Sequence, residues 1–222
     1  MKNISIILIL CVSFTLLMSM QMIINKIKPR IALHRQPQFE NFKWLNCLHA
    51  SSILIMLLPV FITGSSPFFL LLFPDKINIA QTLAFLACFG VFGFFPWKKF
   101  STGHNHDDTI LPFSLILLYG LLRFVFLICY EWFFRGLLLT SFSLWLGIGW
   151  AIIINISLYT LIHIHKTRKE IIGCIPFGLL MCLFTVWWQS IWPAIIFHMQ
   201  LAIIHEWSGL QNLMSPQKQA AL

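Results

Sequence analysis

Charge is scarce in this chain of 222 residues. Charged side chains make up 10%, and aspartate and glutamate together number seven. A soluble domain usually carries about 25% charged residues, so a water-facing globular surface is excluded. The sequence also lacks any Cys-x-x-Cys pair. Its six cysteines, Cys11, Cys47, Cys88, Cys129, Cys174 and Cys182, fall in or beside apolar runs. That pattern argues against a disulfide or zinc framework and suits small, polarisable packing residues. Internal repeats and low-complexity segments are missing too.

Apolar residues are abundant. They form 59% of the chain, and the mean hydropathy is +0.83. Those values describe an all-α, polytopic membrane helix bundle with no room for a separate soluble domain. The formal net charge of +8 is explained by topology, since cytoplasmic loops collect Lys and Arg. No nucleic-acid partner is implied; the partner that composition leads one to expect is membrane lipid.

Residues 4–24 are apolar for about the length that a bilayer requires. No small-x-small cleavage site follows them, so they read as an uncleaved transmembrane helix. Further spans are predicted at 44–63, 77–97, 147–165, 170–188 and 190–206. Gly64-Ser65-Ser66-Pro67 ends the second span, and residues 68–73 suit the membrane interface. Trp97 stands where aromatic anchors sit, and Trp192-Pro193 suits a helix start. The tail after Trp207 is polar and reads as frayed.

Residues 110–142 are apolar for longer than one span needs. A straight helix of that length reaches about 50 Å, against a hydrocarbon core of about 30 Å. It must project or tilt, break near Gly120, or form two spans. Treated as one element, it gives about seven transmembrane helices. Lys26, Lys28, Arg30, Arg35, Lys43, Lys98, Lys99, Lys166, Arg168, Lys169 and Lys218 then share one side, and Lys2 and Lys76 the other. This asymmetry predicts an outer N-terminus and a cytoplasmic C-terminus. The resulting organisation is N-terminal helices over 1–109, a core over 110–206 and a tail over 207–222.

Inside the long run stands Tyr130-Glu131-Trp132-Phe133-Phe134-Arg135-Gly136. An ionisable side chain at membrane depth costs roughly 2.5–3.5 kcal/mol or more, so it usually pairs and faces the bundle interior. Glu131 and Arg135 are four apart, on one helix face, and can pair. His163 and His198 lie on later spans. Counted from the outer helix ends, Glu131, His163 and His198 sit at roughly 17, 24 and 12 Å. All three are within the hydrocarbon slab.

Other polar residues have plainer readings. His165 reads as interfacial beside Lys166, and His205 as solvated beside Glu206. His104, His106, Asp107 and Asp108 read as a hydrated loop. Arg123 is expected to snorkel or to meet lipid headgroups.

Tyr130-Glu131-x-x-x-Arg135-Gly136, then Tyr159-x-x-x-His163, Phe177-Gly178 and His198 resemble the successive motifs of the CPBP family. These are the CAAX-protease and bacteriocin-processing proteins, also called Abi. The resemblance covers roughly residues 110–206. It implies an intramembrane endopeptidase of a bacterial cell membrane, with catalytic roles for Glu131, Arg135, His163 and His198. In the family a glutamate activates water, helped by the first histidine, and the last histidine and an asparagine stabilise the oxyanion. No cofactor is implied, although some members have been described as metalloproteases.

Two positions depart from the pattern. Tyr130 replaces the first glutamate, and Ala202 replaces the final asparagine. A tyrosine with an ordinary pKa near 10 is a poor base at neutral pH. Glu131 points about 100° away around the helix, and pairing with Arg135 weakens it as a base. Loss of an oxyanion donor costs roughly 2.7–4 kcal/mol. Two readings therefore stand: an endopeptidase, or a catalytically impaired relative acting as a membrane binding, immunity or scaffolding protein.

Overall fold

A computed structural model describes residues 2–27, 39–64, 78–100 and 113–214. These form seven helical runs: α1 (Lys2–Ile27), α2 (Phe39–Thr63), α3 (Ile79–Phe100), α4 (Phe113–Leu146), α5 (Ile148–Ile162), α6 (Arg168–Trp188) and α7 (Trp192–Met214). No strand occurs among the described residues. The all-α membrane bundle expected from composition is what forms. Ile4–Ile27, Lys43–Thr63, Phe113–Leu146 and Arg168–Trp188 are each long and apolar enough to cross a bilayer. Large apolar side chains such as Leu8, Leu54, Phe61, Leu83 and Leu144 project outward. A surface of that kind suits lipid rather than water.

From Phe113 onward the long apolar run is one element, with no break at Gly120. Its accommodation is local: Phe113–Glu131 is α-helical, Trp132–Leu138 is a π-helical turn, and Leu139–Leu146 is α-helical again. A π turn inserts an extra residue into the helical ladder, and such turns often mark functional sites. Here Leu139 N–H reaches back five residues to the Phe134 carbonyl.

Helix α4 is the centre of the bundle. Its first half packs against α2, its π turn and last turns touch α1 and α5, and it also meets α6 and α7. All residues of the π turn are buried, and Phe14 of α1 meets Phe134 edge-on at 6.3 Å. Helix α3 docks at the far side, on α7 and α6. Phe85 there packs between Phe197 and Trp188, at 4.9 and 5.4 Å. Gln200 Nε2 donates to the Phe89 carbonyl at 2.8 Å.

Short, well-marked turns set the order of the last four helices. Gly147 alone joins α4 to α5, with φ at +83°, a conformation that glycine adopts without steric cost. Thr167 caps α6, accepting from Glu170 N–H at 3.4 Å in the Thr-x-x-Glu arrangement that starts helices. Gln189, with φ at +50°, closes α6. Ser190 Oγ then accepts from Trp192 N–H at 3.3 Å, and Pro193 occupies the first turn of α7 as anticipated.

Several boundaries differ from the sequence expectation. Helix α5 stops at Ile162 rather than 165, because the chain turns through His163 towards the charged Lys166. Helix α7 runs on to Met214, so 207–214 is helical rather than frayed. The readings for residues 68–73 and for His104, His106, Asp107 and Asp108 fall outside the described residues, as do the side chains of Trp97 and His205. The six cysteines are free thiols.

Candidate active site

Glu131 closes the α-helical half of α4, and Arg135 lies in the π turn that follows. Arg135 Nη1 stands 3.1 Å from Glu131 Oε2, and neither side chain has any exposure. The contact is a close ion pair without the alignment of a hydrogen bond. The guanidinium also lies 4.6 Å from the Tyr159 ring centroid and 5.7 Å from that of Phe134. Aromatic faces attract a desolvated cation by about 2 kcal/mol. They stand where its Nε and Nη2 find no hydrogen-bond partner among the described residues.

The second carboxylate oxygen meets α7. His198 Nδ1 lies 2.5 Å from Glu131 Oε1. A carboxylate is an acceptor only, so the imidazole donates its Nδ1–H. Donation at Nδ1 leaves Nε2 to face whatever enters the site. His198 keeps 14% exposure beside the wholly buried Glu131. Its ring is held edge-on by Tyr130 at 5.4 Å, Phe177 at 6.2 Å and Tyr159 at 6.4 Å.

His163 occupies the turn after α5. Its Nδ1 donates to the Tyr159 carbonyl at 2.8 Å, and its ring lies 4.8 Å from the Tyr159 ring. Both histidines therefore have Nδ1 tethered and Nε2 available. No hydrogen bond or ion pair joins His163 to Glu131 among the described residues; His163 meets the cluster at the Tyr159 ring. The Tyr159 ring touches His163, His198, Arg135, Tyr130 and Phe134. A Cβ at Gly178 would come within 3.1 Å of that ring, so the glycine lets α6 approach it closely.

The structure thus joins Glu131, Arg135 and His198 directly, and brings His163 to them across one aromatic ring. Sequence reasoning missed what braces the π turn. Asn155 Nδ2 donates to the Phe134 carbonyl at 2.6 Å, and Cys182 Sγ–H donates to Asn155 Oδ1 at 3.3 Å. Asn155 is buried in the middle of α5. The available signal was a lone carboxamide within Ile152-Ile153-Ile154-Asn155-Ile156, since an amide in that setting must find partners. Arg123, expected to snorkel or to meet lipid headgroups, also makes contacts within the bundle. It turns towards α2, with Nη1 3.4 Å from His49 Nε2 and its guanidinium carbon 5.4 Å from the Phe126 ring. No three His, Cys, Asp or Glu side chains gather as a metal-ligand set among the described residues.

Comparison with known proteins adds one finding. No curated protein and no solved structure matches the chain. Residues 111–204 match the family described as Type II CAAX prenyl endopeptidase Rce1-like. This is the segment that carries Glu131, Arg135, His163 and His198, and it bears out the resemblance read from the motifs. The matched part of the chain runs from the start of α4 to the middle of α7 and is similar to the Rce1-like type II CAAX prenyl endopeptidases.

Proposed function

We propose that this protein is an intramembrane endopeptidase in which His198, oriented by Glu131, is the base that activates water. The observation that carries the reading is the 2.5 Å contact between Glu131 Oε1 and His198 Nδ1. A carboxylate in that position fixes the tautomer and orientation of an imidazole, and stabilises the imidazolium that forms during reaction. Glu131 was expected to act as water activator or as partner of the activating group. Its burial and two engaged oxygens favour the partner role. Arg135 anchors Glu131, and His163 Nε2 offers a second acceptor to the same water.

The reaction balances as follows. Water gives a proton to His198 Nε2, and its oxygen bonds to the scissile carbonyl carbon. The tetrahedral oxyanion collapses, and the C–N bond breaks. The imidazolium returns the proton to the leaving amine, so the products are an acid and an amine. The substrate is a membrane-associated peptide or protein. The basic loops favour an outer N-terminus and a cytoplasmic C-terminus, and the family resemblance favours a bacterial cell membrane.

The test is cleavage of a lipid-tethered peptide by purified protein in liposomes, with products identified by mass. Wild type should cleave. His198→Ala and His163→Ala should each lose about 10²–10⁴ of the rate, the usual worth of general-base assistance. Equal rates for wild type and for Glu131→Ala combined with His163→Ala would remove the catalytic assignment.

A second reading draws on Tyr130, Ala202 and the closed burial of Glu131. In it the protein binds a membrane partner without chemistry, as an immunity or scaffolding protein. Turnover that appears only in Tyr130→Glu/Ala202→Asn would favour it.

A further inference from the structure

We propose that Tyr130 is the oxyanion donor of this site, its phenol O–H receiving the carbonyl oxygen of the scissile peptide bond. The proposal rests on the hydrolytic reading and extends it to a residue that the family's motif pattern does not supply. Tyr130 has 4% exposure, and its hydroxyl has no hydrogen-bond partner among the described residues. Buried polar groups are nearly always satisfied, and one left alone keeps its desolvation penalty. A phenol in that condition inside a reaction site is waiting for an acceptor.

Its surroundings hold it in place. The ring lies 4.6 Å from Phe134 and 5.6 Å from Phe126, on the turns after and before it. It meets His198 at 5.4 Å and Tyr159 at 6.1 Å. The ring that carries the donor therefore packs against the imidazole of the base. A donor that cannot reorganise acts most strongly on charge developing in a water-poor site.

The two imidazole Nδ1–H donors at hand are engaged. His198 Nδ1–H is held by Glu131, and His163 Nδ1–H by the Tyr159 carbonyl. Arg135 faces the Glu131 carboxylate as its counter-charge, and its Nε and Nη2, like the Tyr130 hydroxyl, have no hydrogen-bond partner among the described residues. One turn beyond His198 the chain offers only the buried methyl of Ala202. Tyrosine at 130 thus supplies a neutral donor in a site where alanine at 202 supplies none. At ordinary pH a phenol keeps its proton and donates it without charge.

The experiment uses full-length protein in nanodiscs and two lipid-tethered peptides. One carries the amide, and the other a phosphinate in place of the scissile bond, as a fixed tetrahedral anion. Binding of both, kcat, KM and Tm are measured for wild type and Tyr130→Phe. We expect Tyr130→Phe to weaken phosphinate binding and lower kcat by about 10²–10³. Amide-peptide binding and KM should move by less than about twofold, and Tm should hold or rise, because the lost hydroxyl had no partner. Equal phosphinate binding by wild type and Tyr130→Phe overturns the donor role, whether or not wild type turns over. So does a fall in Tm with unchanged phosphinate binding, which marks a structural hydroxyl. Tyr130-dependent phosphinate binding by a wild type that never cleaves peptide upholds the donor and removes the hydrolytic reading instead.

Discussion

Helix α4 carries two arginines, and their fates differ. Arg135 has no exposure and faces a carboxylate at 3.1 Å, with Tyr159 against its guanidinium. Arg123, twelve residues earlier and roughly 18 Å down the axis, is half-buried between His49 and the Phe126 ring. Arg135 is completely buried with a carboxylate partner, and Arg123 is half-buried with an imidazole among its contacts. The lesson is that position in an apolar run does not decide whether a charge is sealed in. For Arg135, what offsets desolvation is the counter-charge that the fold brings to 3.1 Å. Glu131 supplies it, and the same carboxylate then has an oxygen left to hold His198.

The largest expected effect comes from breaking the Arg135 side of this comparison. Glu131→Leu strands a buried guanidinium and should cost about 3–5 kcal/mol. Reversible unfolding in mixed micelles measures this. Glu131→Leu/Arg135→Met removes both charges and should recover most of the loss; a double variant as unstable as the single one would show that the pair is not the reason. Next in size is Asn155→Leu. It deprives the Phe134 carbonyl and the Cys182 thiol of their shared partner, and should cost about 1–3 kcal/mol. Because Asn155 braces the π turn, peptide cleavage should fall as well, through kcat more than KM. Stability that drops while kcat stays fixed would mean that the amide is only packing. The smallest effect belongs to Arg123→Met, at about 1 kcal/mol or less, since the half-buried side chain retains access to solvent or headgroups. If this change destabilised the protein as much as Glu131→Leu, the contrast between the two arginines would collapse.

Much of this arrangement could be read in the sequence, for identifiable reasons. The spans were visible because bilayer thickness sets helix length. The Glu131–Arg135 pair was visible because four-residue spacing is a local property. Contacts across helices were not. Glu131 and His198 are 67 residues apart, and only packing shows that they touch rather than lie at similar depth. The π turn was hidden because Trp132–Leu138 has the same apolar character as its α-helical flanks. The end of α5 was misplaced because hydropathy continues through Ile164, whereas His163 already serves as its cap. Arg123 was assigned to lipid because nothing local reveals that His49 waits on α2. Tyr130 could be recognised as a departure from a motif, but its unpartnered hydroxyl appears only once its neighbours are in place.

The carboxylate-held imidazole at the centre of this account is open to direct observation. Protein labelled with nitrogen-15 at histidine, in micelles, reports by NMR which ring nitrogen carries the proton and whether it is hydrogen-bonded. For His198 we expect a protonated, strongly hydrogen-bonded Nδ1 whose resonance moves in Glu131→Gln, while His163, bound to the Tyr159 carbonyl, stays nearly unchanged. A His198 signal indifferent to Glu131→Gln would contradict the account.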